Sequence, residues 1–113
     1  MVTSKTYLSD TFVLKVRNAI FYCKQAYRYL FDENNIEAAL NFLHRASAKI
    51  ESAEAMYWSN FDLLENIEYQ KISQQMGVFI DEMIKNFAAE DSHQWTSIEY
   101  NQLLDLIKDT PFE

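Results

Sequence analysis

Hydrophobic residues recur in the first third of the chain with alternating steps of four and three residues. Between residues 10 and 31 the recurring positions are Phe12, Val16, Ala19, Cys23, Ala26 and Leu30. This heptad spacing is typical of an amphipathic helix that buries one side, and mostly polar residues occupy the other side. The pattern predicts a first helix at about residues 10–31, with Ser9 as its N-cap.

A second stripe of the same period follows after a short polar link. Its positions alternate bulky residues with alanine: Ile36, Ala39, Leu43, Ala46, Ile50, Ala53 and Tyr57. Asn34 and Glu37 form a variant of the capping box, so we predict a second helix at about 35–57. Because so few residues join the two helices, they must run antiparallel.

The third apolar face is less regular and begins after a break near residue 60. Ser59 and Asp62 form a second candidate capping box, and Asn66 is a rival start. The periodicity predicts a third helix at about 61–88. Gly77 lies inside this helix, where it marks a close helix crossing or a mild kink, or is simply tolerated.

A polar connector then leads to a short fourth helix, predicted at about 97–109. Thr96 and Glu99 form its candidate capping box, with Trp95 packed against Tyr100 as a hydrophobic staple. The predicted fold is therefore all-α, an up-and-down antiparallel helical bundle of three long helices plus a short fourth. One glycine, one proline and 49% hydrophobic residues in 113 suit a single domain of long helices, 1–113.

The residue inventory excludes most catalytic and metal chemistry. One glycine rules out a glycine-rich phosphate loop, and one cysteine rules out a Cys-x-x-Cys motif. Glu90 and His93 have the spacing found in dinuclear carboxylate bundles, but those sites need the motif twice. Cys23 occupies a core position and His44 the polar side of the second helix. We therefore expect no enzymatic activity, no metal and no cofactor.

Charge is distributed unevenly along the chain. Residues 1–50 hold seven lysines and arginines against four acidic residues, and residues 51–113 hold three against thirteen, so the halves carry about +3 and −10. One interpretation is internal complementarity, in which basic side chains of the first half face acids of the second across helix seams, with local pairs such as Asp81 and Lys85. Alternatively the third and fourth helices present an acidic face to a basic partner. At a net charge of −7, direct nucleic-acid binding is not expected.

Several aromatic residues fall outside the main stripes: Tyr7, Tyr22, Tyr29, Phe42, Trp58, Phe61 and Phe112. Any that stay exposed together would anchor a partner, because aromatic side chains dominate interface hot spots. We select a patch on the first helix as the candidate. It would not be available to a partner if a later helix covered it. The candidate partner-binding residues are that patch and four acids, namely Phe21, Tyr22, Tyr29, Glu65, Glu68, Asp81 and Glu82.

These observations favour a small, cytoplasmic, bacterial or phage protein that binds another protein as an adaptor, chaperone or regulator. The alternative is an immunity or inhibitor protein, including a DNA mimic, that neutralises a basic enzyme or toxin. A third hypothesis, a small-molecule or phosphocarrier enzyme, requires His44 or a carboxylate such as Glu65 in a pocket. We expect no membrane span and no signal peptide, and a homodimer more often than a monomer.

Overall fold

The computed structural model describes the backbone of residues 4–89 and 94–113, and the side chains of residues 7–87 and 94–113. Within these ranges the chain forms helices and no strand. The helices are α1 (Ser4–Phe31), α2 (Ile36–Ser59), α3 (Phe61–Leu64), α4 (Gln70–Ala89) and α5 (Gln94–Ile107). The predicted all-α helical bundle is confirmed.

The helices α1 and α2 form the predicted hairpin, although their caps differ from the prediction. Asn34 takes a left-handed conformation with φ of 48°, which asparagine tolerates better than most residues. The N-cap of α2 is its neighbour Asn35, whose side chain accepts a hydrogen bond from the Ala38 amide at 3.0 Å. The predicted cap at Ser9 is also wrong, because α1 begins at Ser4 and continues through that residue.

The buried stripe of this hairpin matches the predicted heptad positions closely. In α1 every predicted position is buried: Phe12, Val16, Ala19, Cys23, Ala26 and Leu30. In α2 the alanines Ala39, Ala46 and Ala53 are fully buried, and their small side chains let the two helices approach closely. The stripe is incomplete at two positions, because Ile36 is exposed and Ile50 is half-buried.

The predicted third helix at 61–88 is wrong as a continuous element. The four-residue α3 is followed by a non-helical segment at residues 65–69, and α4 begins at Gln70. Both Leu64 and Tyr69 are buried, yet on one continuous helix they would lie about 140° apart, so the break lets both enter the core. Neither predicted start of the third helix is correct. The residue before α3 is Asn60 in place of Ser59, and its side chain makes no capping hydrogen bond. The rival start, Asn66, lies in the break.

The helices α4 and α5 form a second hairpin whose start also differs from the prediction. Since α5 begins at Gln94, Thr96 lies inside the helix, where it is fully buried and its hydroxyl accepts a hydrogen bond from the Asn86 amide. The predicted capping box and staple are therefore wrong, and Trp95 is 62% exposed. A buried threonine with a polar partner on α4 fixes the register of this hairpin.

Contacts between residues far apart in the chain join the helices of the bundle. Lys15 of α1 donates to Ser52 of α2 at 3.0 Å, and Ser73 of α4 donates to Glu54 of α2. At the end of the chain Phe112 packs edge-on against Phe12, with centroids 6.3 Å apart. Packing is most extensive within the two hairpins, in a body of 51 × 22 × 20 Å.

Gly77 does not mark a close helix crossing. A Cβ atom added to this residue would have no heavy atom within 4 Å, so the backbone of α4 is not approached there by another helix. The helix runs through Gly77 without interruption. Of the alternatives raised by the sequence, the space around the residue favours simple tolerance of glycine at this position.

Candidate protein-binding surfaces

Among the described residues selected for chemistry, the structure shows one buried thiol, Cys23, and two exposed side chains, His44 and Glu65. Among the side chains described, no group of three or more His, Cys, Asp and Glu residues could hold a metal ion. Burial raises the pKa of the Cys23 thiol from 9.0 to about 12, so the thiol stays protonated and shielded. His44 and Glu65 are both exposed. The Glu90 and His93 pair lies outside the described residues.

The predicted aromatic patch on α1 is brought together by a residue from α2. Tyr29 stacks on Phe42 with ring centroids 5.3 Å apart and planes 15° from parallel, and Tyr22 lies 6.1 Å from the same ring. Phe21 continues the row at 5.8 Å from Tyr22. Tyr22 and Tyr29 are half-buried by this packing, whereas Phe21 is exposed. We call Phe21, Tyr22, Tyr29 and Phe42 the α1–α2 aromatic face.

Two arginines cover part of the α1–α2 aromatic face. The Arg28 guanidinium lies 4.4 Å from the Tyr29 ring centroid, and that of Arg45 lies 5.6 Å from the Phe42 centroid. Both distances fall within the range of cation–π attraction. The predicted patch is therefore basic, with its aromatic rings partly occupied by the chain's own cations.

Ion pairs do not neutralise the charge asymmetry of the chain across helix seams. Among the described side chains the ion pairs are Arg28 with Glu33 and Lys85 with Glu82, each at 3.5 Å. Both pairs are local in sequence, and Lys85 contacts Glu82 in place of the predicted Asp81. The described surface therefore leaves most of its acidic and basic side chains facing solvent, which favours the dipolar alternative.

A second aromatic surface lies where α2 meets α3, outside the residues predicted from the sequence to bind a partner. Trp58 stacks on Phe61 with ring centroids 5.5 Å apart and planes 15° from parallel. Leu63 lies in the same short segment, and all three side chains are exposed, Trp58 by 56%. We call Trp58, Phe61 and Leu63 the Trp58 cluster. The feature of the sequence that could have indicated this cluster is the pair of aromatic residues spaced three apart at the predicted break.

The surroundings of the Trp58 cluster are acidic. Asp62, Glu65 and Glu68 are exposed beside it or in the break that follows. A cavity of about 250 Å³ opens in the same segment, lined by Tyr57, Glu65, Ile67, Glu68, Tyr69, Gln70 and Lys71. The structure thus brings the predicted acids Glu65 and Glu68 together at this corner.

The other two predicted acids do not join this corner. Asp81 lies 12 residues beyond Tyr69, so it is about 18 Å further along α4 at the standard helical rise. Glu82 is half-buried and paired with Lys85. The seven predicted residues therefore separate into a basic aromatic face, an acidic corner and a distant pair on α4.

Glu54 fixes the orientation of the Trp58 ring. One carboxylate oxygen accepts a hydrogen bond from the Trp58 indole at 2.9 Å, and the other accepts from the Ser73 hydroxyl. The adjoining Tyr69 hydroxyl is buried near Ser73 and Glu54, without a hydrogen bond of standard geometry among the described residues. Burial, with a smaller contribution from the Glu54 charge, raises the Tyr69 pKa. The indole is thus held in place while its face stays exposed.

The fold and its surfaces define an all-α helical-bundle protein with one basic and one acidic aromatic surface. Comparison with protein-family models, with curated proteins and with solved structures finds no match. Among the helices described, none combines the length and apolar content required to cross a bilayer.

Proposed function

We propose that this protein is a non-catalytic interaction module that binds a basic segment of another protein. The Trp58 cluster and the carboxylates beside it form the binding surface. One observation carries the proposal: Trp58 and Phe61 are stacked and exposed in the same segment as Asp62, Glu65 and Glu68, three exposed acids that form no ion pair with another described side chain.

The chemistry of this surface suits a partner rich in lysine and arginine. Exposed indole and phenyl faces attract guanidinium and ammonium groups and pack against their aliphatic stems. Carboxylates at the edge of an interface accelerate the encounter with a cationic partner and disfavour acidic ones. The cavity of about 250 Å³ beside Tyr57 and Tyr69 has room for one partner side chain.

Preorganisation further supports the Trp58 cluster as the main binding surface. Because Glu54 holds the indole through a hydrogen bond, less side-chain freedom is lost when a partner docks. In contrast, the α1–α2 aromatic face is already covered in part by Arg28 and Arg45. A partner would have to displace those arginines before reaching the Tyr29 and Phe42 rings.

A photo-crosslinking amino acid at Phe61, introduced in the native host, tests the proposal. We expect the crosslinked partner peptide, identified by mass spectrometry, to carry a net positive charge. The yield should fall at least fivefold in the double variant Glu65→Gln/Glu68→Gln. The matched control is the same crosslinker at Trp95, which is 62% exposed on α5. Crosslinking to acidic or neutral segments, or an equal yield in the double variant, would contradict the proposal.

The same exposed carboxylates favour a second function, the neutralisation of a basic enzyme or toxin, including by imitation of nucleic acid. The two functions differ in their effect on the partner. An adaptor or chaperone leaves the partner active, whereas an inhibitor abolishes its activity and is displaced by added DNA if it imitates nucleic acid. A partner assay with and without DNA distinguishes them.

We further propose a cytoplasmic location, since the unpaired Cys23 thiol suits a reducing compartment. A bacterial or phage origin remains a prediction from the sequence. Fractionation of the native host, with the protein detected by antibody, tests the location. Recovery in a secreted or membrane fraction would contradict it.

A further inference from the structure

Three large hydrophobic side chains form a line along the outer surface of α1. Tyr7, Leu14 and Phe21 are spaced seven residues apart and are 70%, 58% and 52% exposed. At about 100° per residue they point roughly 180° away from the buried residues Phe12 and Cys23. No other helix described in the structure covers them, and we call these three residues the outer stripe of α1.

The spacing of the outer stripe is that of a helix–helix contact. A seven-residue repeat drifts by only about 20° per heptad around a straight helix, and a shallow left-handed crossing compensates for that drift. The three side chains lie along one line of the helix, so a second helix crossing at a shallow angle can contact all of them. The occupant that fits the stripe is therefore another helix of matching period.

The charges beside the stripe select both the partner and its direction. Asp10 and Arg17 lie on one flank of the stripe, and Asn18 lies on the other. When two copies of a helix pack antiparallel, identical flanks meet. Alignment about Leu14 then places Asp10 of each copy beside Arg17 of the other, which gives two symmetry-related ion pairs.

A parallel alignment lacks this complementarity. In a parallel pair, one flank of the first helix meets the opposite flank of the second helix at the same height. Arg17 would then face Asn18 of the second copy, and Asp10 would face its Thr11. No ion pair forms between these residues. The charge pattern of α1 therefore favours an antiparallel pairing of two identical helices.

We propose that the outer stripe binds a second copy of this chain in an antiparallel, twofold-symmetric dimer centred on Leu14. Leu14 packs on Leu14, and Tyr7 of each copy faces Phe21 of the other. A cavity of about 150 Å³ opens beside that phenyl ring, lined by Arg17, Ile20, Phe21, Lys24, Phe112 and Glu113. The incoming tyrosine ring lies next to two cations there, which suits cation–π contact.

This interface is small, because the stripe covers two heptad intervals and stable coiled coils use three to four. A contact of this size falls in the class of weak, reversible associations. We therefore expect a dissociation constant on the order of tens of micromolar. The dimer surface is separate from the Trp58 cluster, so either proposal can fail without the other.

Sedimentation velocity of the full chain over a concentration series tests the dimer. We expect the wild type to shift from the 13.4 kDa monomer toward twice that mass. Leu14→Glu should stay monomeric at tenfold higher concentration, because two glutamates would face each other on the twofold axis. The matched control Ile84→Glu, at a residue 49% exposed on α4, should self-associate like the wild type.

Helical circular dichroism confirms that each variant is folded. A wild-type monomer that persists up to about 1 mM, far above the expected dissociation constant, would overturn the proposal. Unchanged self-association of folded Leu14→Glu would overturn it as well.

Disulfide trapping in a Cys23→Ala background tests the antiparallel geometry. A mixture of Tyr7→Cys and Phe21→Cys chains should form linked heterodimers in preference to either homodimer, because disulfides require Cβ atoms within about 4.5 Å. Preferential homodimers at both positions would show parallel pairing and overturn the proposed arrangement. Charge exchange provides a second test: Asp10→Arg and Arg17→Asp should each weaken the dimer, and the double variant should restore it.

Discussion

Tyr27 and Tyr100 stack face to face, with ring centroids 3.8 Å apart and ring planes 8° from parallel. The contact joins α1 to α5, and the Tyr27 hydroxyl shares a hydrogen bond of 3.0 Å with the Ser97 hydroxyl. Phe79 of α4 packs on both rings, at 6.4 Å from Tyr27 and 5.6 Å from Tyr100. Since the two hairpins touch less extensively than the helices within each one, this aromatic group holds them together.

Removal of the Tyr100 ring should therefore destabilise the whole bundle. We expect Tyr100→Ala to lower the free energy of unfolding by about 3 kcal/mol, through lost burial and the cavity left behind. Tyr27→Phe, which removes only the hydroxyl bonded to Ser97, should cost about 1 kcal/mol. Urea denaturation followed by circular dichroism measures both. Trp95→Ala, exposed on the same α5 helix, is the control and should change stability by less than about 0.5 kcal/mol.

The buried pair of Asn86 and Thr96 should show strong coupling. Thr96→Val leaves the Asn86 amide buried without its partner and should cost about 2 kcal/mol, as should Asn86→Leu. The double variant removes both polar groups, so we expect it to be more stable than the sum of the single losses predicts. A double-mutant cycle in urea measures the coupling, and additive losses would show that the pair does not act as a unit.

Gly77→Ala should stabilise the protein. Nothing lies within 4 Å of the added methyl group, and alanine favours the helical backbone over glycine by roughly 1 kcal/mol. The expected rise in melting temperature is about 4 °C. Thermal unfolding measures it, and a lower melting temperature would mean that another chain or helix approaches the backbone at Gly77.

Stability should decline in alkaline solution because of the Cys23 thiol. Its pKa is raised from 9.0 to about 12 by burial, so the folded state retains a proton that the unfolded state loses. The contribution of the protonated thiol to the free energy of unfolding is complete below about pH 9. It is lost as the pH rises, at up to about 1.4 kcal/mol per pH unit for this one group. Tyr69, whose pKa is also raised, adds to the loss above about pH 10.

Urea denaturation between pH 8 and pH 10 measures this decline. Cys23→Ala is the matched reference, and its stability should vary much less between pH 9 and pH 10 because the thiol is absent. An equal decline in both proteins would assign the effect to other groups. The folded wild type should also resist thiol reagents that modify it rapidly in urea.

The buried stripe of α1 could be predicted from the sequence because helical periodicity is a local property. Phe12, Cys23 and Leu30 were correctly placed in the core from their spacing alone. The N-cap of α2 was less predictable, since residues 34 and 35 are both asparagine. Either side chain could accept a hydrogen bond from the free amides of the first helical turn. The positive φ of Asn34 leaves the capping position to Asn35.

The break between α3 and α4 could not be predicted from the sequence. No glycine or proline marks residues 65–69, and the rival start at Asn66 did not show where one helix would end and the next begin. The chain leaves the helix because Leu64 and Tyr69 both gain burial against α1 and α2. Local preference favoured one helix, and tertiary packing outweighed it.

The candidate surfaces were predictable only in part. Phe21, Tyr22 and Tyr29 share one helix, so their proximity followed from helical geometry. The involvement of Phe42 depends on the register of α1 against α2. The exposure of Trp58 and Phe61 depends on how far α2 extends and on which way the chain turns after it.

The sequence by itself determined the helical fold class, the first hairpin, the buried stripe and the unequal charge of the two halves. These follow from periodicity, a short connection and composition, which act between residues close in the chain. Only the tertiary structure decided the split of the third helix, the burial of Thr96 and Phe112, and which aromatic residues remain exposed. Those outcomes depend on how each helix is rotated against the others, and that rotation is set by many weak contacts between distant residues.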